Sequence, residues 1–112
     1  MSDEGQERQR RAAMKQSLCR RVNEATIQRL SGSAGFIEVA CECSQTTCAV
    51  PLTLSVEEYE QIRREPTHFV VAPGHIDPKG EWIVEQTSRY VVVEKIELGA
   101  KVAATLDPRR YP

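Results

Sequence analysis

Three of the four cysteines in this 112-residue chain lie within eight positions, in the run Phe36-Ile-Glu-Val-Ala-Cys41-Glu-Cys43-Ser-Gln-Thr-Thr-Cys48. Thiols gathered this closely suit a soft metal ion or redox chemistry. Ile37, Val39, Cys41 and Cys43 share one side of a period-two pattern, and Phe36, Glu38, Ala40 and Glu42 share the other. A strand with that alternation presents both thiols on one face. Ser44-Gln-Thr-Thr47 is a polar turn, and a strand returning from it brings Cys48 opposite Cys43. Zinc takes nitrogen and sulfur ligands at the corners of a tetrahedron. His75, exposed by the turn Pro73-Gly74-His75, is the first choice to complete the set, ahead of His68 and then Cys19. The expected site is therefore Cys41, Cys43, Cys48 and His75 around a structural Zn2+.

Two other readings compete with it. The cysteines can be reduced core residues, or Cys43 and Cys48 can form a redox pair across the hairpin. A reactive thiol needs a base or a cation beside it. Glu42 points away from both neighbouring cysteines, and the chain has no Lys or Arg between residues 30 and 62. With every position filled by protein, the metal site is closed and has no water to activate. Its role is then folding energy rather than catalysis. No catalytic residue stands out. His68 and Glu65 lack a nucleophile and an oxyanion donor. Pro73-Gly74 lacks a phosphate-loop pattern, and Trp82 reads as core or hairpin packing rather than a platform for bases.

The elements that position these residues follow from periodicity. Residues 1–8 are polar and read as a disordered tail. Residues 9–30 contain no Pro or Gly, and Met14, Leu18, Val22 and Ala25 recur on one helix face. That face is expected to be buried, on the sheet or against a second copy, with Ile27 off it. Ser55 and Glu58 form a capping box, and Leu54 and Tyr59 a hydrophobic staple, for a helix over 56–64. Residues 48–54 form the returning strand, and Pro51 within it makes that strand an edge or an irregular one. Residues 68–72 form a short strand, and residues 81–86 and 89–97 a second hairpin. Val91-Val92-Val93, apolar on both faces, marks a central strand. Gly99 breaks the pattern, residues 101–106 form one or two helical turns, and 107–112 are a frayed tail. The fold class is α+β: an N-terminal helix, a small mostly antiparallel sheet from two hairpins, and a capped helix between them. It forms a single domain over 9–106.

Composition sets limits. The chain is 40% hydrophobic and 28% charged with net charge −1, and its only aromatics are Phe36, Tyr59, Phe69, Trp82, Tyr90 and Tyr111. The core must be mostly aliphatic, and a small core gains from a metal staple. The start has no apolar signal region, so a cytoplasmic protein with no membrane partner is expected. Basic residues concentrate early, at Arg8, Arg10, Arg11, Lys15, Arg20 and Arg21. They suit a solvated helix face better than a phosphate-binding one. Glu60 with Arg63 and Arg64 reads as another solvated face.

These pieces resemble a group of short bacterial proteins with no known activity. The likeness rests on Arg21-Val22-Asn23-Glu24, Cys41-Glu-Cys43, Cys48, Leu52-Thr-Leu-Ser-Val-Glu-Glu-Tyr59, Phe69-Val-Val-Ala-Pro-Gly-His75 and Tyr90-Val-Val-Val-Glu-Lys95. It implies that Pro73-Gly74-His75 belongs to one unit with the cysteines, and it implies no function. It departs after Glu24, where Ala25-Thr26-Ile27 shifts the expected apolar position. The leading expectation is a non-enzymatic, zinc-stabilised interaction module. Its partner is another protein or a second copy, met through the first helix. A regulatory nucleic-acid-associated protein and a thiol redox sensor are the alternatives.

Overall fold

The computed structural model describes residues 3–30 and 32–109. The elements run α1 (Asp3–Arg29), β1 (Phe36–Ala40), β2 (Pro51–Ser55), α2 (Val56–Ile62), β3 (His68–Val71), β4 (Glu81–Gln86), β5 (Val91–Lys95) and α3 (Glu97–Thr105). The class is α+β as expected, with two antiparallel sheets rather than one. β1 pairs with β2, and the second sheet has the order β3-β5-β4. The central strand β5 buries Val91, Val92 and Val93, which is why it is apolar on both sides. Ile37, Val39, Leu52 and Leu54 from the first sheet meet Phe69, Val71 and Val93 from the second in one core with Tyr59 and Ile62 of α2.

α2 forms as its sequence dictates. Ser55 accepts from the Glu58 backbone N–H at 3.1 Å, and Glu58 Oε1 accepts from the Ser55 N–H at 2.8 Å. Leu54 and Tyr59 are both fully buried, as a staple requires.

α1 departs from expectation in two ways. It begins at Asp3, so residues 3–8 are helical; residues 1 and 2 of the expected tail lie outside the described residues. Acidic Asp3 and Glu4 favour the first turn. Glu7 pairs with Arg11 at 3.2 Å within the helix, and Arg8 ties these turns to the body by reaching Asp77 at 3.5 Å. Its buried face is also not the apolar one. Ala13, Gln16, Ser17, Arg20, Asn23 and Ile27 are buried, while Met14, Leu18 and Val22 are 52%, 61% and 57% exposed. Ile27, expected off the packing face, lies on it.

Other corrections have local causes. α3 is longer than one or two turns, and Gly99 lies inside it because the Lys95 side chain passes within 2.9 Å of where a Cβ would sit. Trp82 is 65% exposed on the edge strand β4. Arg63 is buried against Glu24 and Asp107 rather than paired with Glu60. Asp107 and Arg109 are held down, Arg109 by Glu24 and Glu60, whereas residues 110–112 lie outside the described residues.

Candidate metal centre

The ligand segment is an extension of β1 that leaves the sheet. Regular pairing stops at Ala40↔Pro51, although the Cys41 N–H still donates to Val50 O at 2.9 Å. The same register, carried on, sets Cys43 opposite Cys48. Cys48 is brought back by a tight turn in which its N–H donates to Gln45 O at 3.2 Å. The strand alternation continues through the segment, so Cys41 and Cys43 are both buried on the inner side.

His75 arrives from the other sheet. After β3, Ala72-Pro73-Gly74-His75 closes a turn with the His75 N–H donating to Ala72 O at 3.0 Å. Pro73 fixes the first corner, and Gly74 takes φ +85° at the second, the conformation a type II turn requires there. The turn touches the thiols at both ends. The Ala72 N–H donates to Cys41 Sγ at 3.2 Å, and His75 Nδ1 lies 3.7 Å from Cys41 Sγ and 3.5 Å from Cys48 Sγ.

One ligand atom from each of Cys41, Cys43, Cys48 and His75 lies within 4.8 Å of all the others. Metal–sulfur bonds of about 2.3 Å and metal–nitrogen bonds of about 2.0 Å at tetrahedral angles put sulfur about 3.5 Å from nitrogen. The observed separations from His75 have that size. This group could hold a metal ion. Among the described residues, the other two candidates for the fourth position stand apart from it. His68 Nε2 lies 3.2 Å from Glu94 Oε1, and Cys19 lies on α1.

Each thiol meets a backbone N–H: Ala72 at Cys41, Gln45 at Cys43 and Val50 at Cys48. Such donors favour thiolate. Burial opposes them and pushes the Cys41 and Cys43 thiols up. At the rim, burial is outweighed at Cys48 by the Val50 N–H, the neighbouring thiols and Lys15, and its pKa falls. Lys15 supplies the cation that the local sequence lacks, with Nζ 3.0 Å from Cys43 O.

The far side of the ligand segment is gripped by α1. A segment leaving a ladder must find partners for its backbone groups: the Cys41 and Glu42 N–H groups find Val50 O and Val70 O, and several others find α1 side chains. Asn23 pairs with both backbone groups of Ala40, donating to its O at 2.8 Å and accepting from its N–H at 2.9 Å. Gln16 Nε2 donates to Glu42 O at 3.0 Å and to Glu81 Oε2 at 2.6 Å. Glu42, between the two cysteines, turns its fully buried carboxyl away from the thiols. It accepts from Asn23 Nδ2 at 2.9 Å, Tyr59 OH at 2.7 Å and the Val70 N–H at 3.0 Å. Burial nevertheless raises its pKa. Arg20, on the same face of α1, reaches past the ligand segment, donating to Pro66 O at 2.6 Å and Ala103 O at 2.8 Å and stacking 4.4 Å from the Phe69 ring centre. Sequence reasoning missed Gln16, Arg20, Asn23 and Glu42. Their signal was a second helical stripe, Gln16-Arg20-Asn23-Ile27, spaced by four, three and four.

No family model matches the chain, and no curated protein or solved structure matches it either. No helix among the described residues is long and apolar enough to cross a membrane.

Proposed function

We propose that Cys41, Cys43, Cys48 and His75 hold a structural zinc ion that locks the β1–β2 hairpin to the turn after β3. The domain is then a non-enzymatic interaction module of the reducing cytoplasm. The observation that carries this reading is the convergence of the ligand atoms within 4.8 Å of one another, from elements of two different sheets. Three thiolates and an imidazole match zinc's preference and leave no position for water, so the ion would supply folding energy and no Lewis-acid step. That energy is on the order of 10–16 kcal/mol in small zinc-folded peptides.

Purified protein is expected to carry about one zinc per chain. Strong chelation should lower its melting temperature by more than about 15 °C. Metal-free protein with an unchanged melt would sink the proposal. Zinc that stays bound under mild peroxide separates a structural centre from a redox sensor. The nucleic-acid alternative finds less support. Arg20 is buried, Lys15 donates to Cys43 O, and Arg8 and Arg11 face carboxylates.

A further inference from the structure

The outward face of α1 is exposed among the described residues, and its pattern is symmetric. It runs from Glu7 through Arg11, Met14, Leu18, Val22 and Ala25 to Arg29, spaced by four, three, four, four, three and four residues. The spacing reads the same in both directions about Leu18. We propose that this face pairs antiparallel with the same face of a second copy, around a two-fold axis at Leu18.

Three observations carry the pairing. Met14, Leu18 and Val22 are each more than half exposed, on a helix whose opposite face is filled. Large apolar side chains lined up on one surface mark an interaction site more often than chance. Spacings of three and four residues favour two helices packed at a shallow angle of about 20°. The charges then choose the direction. In a parallel pair Glu7 would meet Glu7, Arg11 would meet Arg11 and Arg29 would meet Arg29. In the antiparallel pair Glu7 faces Arg29, Met14 faces Val22, and Arg11 lies over the small Ala25. Such an interface is isologous, using the same patch on both chains. It extends onto α3, where a groove of about 370 Å³ is lined by Met14, Leu98, Val102 and Leu106.

The test is the mass of the metal-loaded full chain by analytical ultracentrifugation. At about 100 μM, wild type should show twice the 12.6 kDa chain mass. Leu18→Glu sets two carboxylates against each other on the axis and should weaken the dimer by more than about 100-fold. Its metal content should stay unchanged, and its melting temperature should match wild type at concentrations low enough for both to be monomeric, because Leu18 is exposed. Glu7→Arg and Arg29→Glu should each weaken the dimer by about two- to fivefold, with the double swap restoring it. A wild-type chain that stays monomeric at about 1 mM overturns the proposal. So does a dimer that survives Leu18→Glu but is lost on Trp82→Glu, which would place the contact on the β4 edge. A failed charge swap overturns the antiparallel direction. None of these outcomes touches the metal reading, which rests on metal content.

Discussion

α1 and α2 are both amphipathic helices, and they bury opposite kinds of face. α2 turns Tyr59 and Ile62 into the core and keeps its glutamates near the surface. α1 turns Gln16, Arg20 and Asn23 inward and leaves Met14, Leu18 and Val22 outside. The surfaces they meet explain the difference. α2 lies on side chains of two sheets. α1 lies on α3 and on the backbone of residues 40–43, where the β1–β2 ladder ends and the chain goes on to carry the thiols. An apolar period shows which face is buried only when the facing surface is itself apolar.

That contrast can be broken by substitution. The largest effect is expected at Arg20→Ala. It leaves Pro66 O and Ala103 O without their donor and removes the stacking on Phe69, costing about 3–5 kcal/mol in denaturant unfolding. Asn23→Leu makes the buried face of α1 more apolar and should still destabilise by about 2–4 kcal/mol, because both Ala40 backbone groups lose their partner. A stabilised Asn23→Leu protein would show that the polar grip is incidental. On α2, Tyr59→Phe removes one donor to Glu42 and should cost about 1–2 kcal/mol. Ser55→Ala removes the cap for about 1 kcal/mol. At the bottom of the scale, Leu18→Gln on the outer face of α1 should move the stability of the monomer by no more than about 0.5 kcal/mol.

Acid sharpens the α2 side of the comparison. Hydrogen bonding to Arg89, opposed by burial, pulls the Glu58 carboxyl from 4.5 down to about 2. A carboxyl depressed in the folded state stabilises above its ordinary pKa and loses that contribution as pH falls through the folded value. The gap in melting temperature between wild type and Glu58→Gln should therefore be full above pH 4.5 and close as pH drops towards about 2. A gap constant across that range would contradict the Arg89–Glu58 pairing.

Much of the fold was legible because local signals and tertiary packing agree. The capping box at Ser55 and Glu58, the central Val91-Val92-Val93 and the turn at Gly74 all stand where the pattern puts them. The candidate site was legible too, since strand alternation and a short turn gather Cys41, Cys43 and Cys48. What the sequence concealed lies in long-range polar contacts. Lys15 near Cys43 and Arg63 between Glu24 and Asp107 join residues far apart in the chain. Local charge patterns gave Arg63 a solvated role and the thiols no cation. The buried face of α1 was hidden because its partner is backbone, which has no side-chain pattern to read.

Cobalt(II) titration of the metal-stripped chain decides whether Cys41, Cys43, Cys48 and His75 act together as one metal site. Wild type and His68→Ala should develop intense thiolate-to-metal and tetrahedral ligand-field absorption that saturates at about one ion per chain. Cys43→Ser and His75→Ala should weaken binding and change the spectrum. A pale six-coordinate spectrum, or wild-type behaviour in His75→Ala, would contradict the assignment.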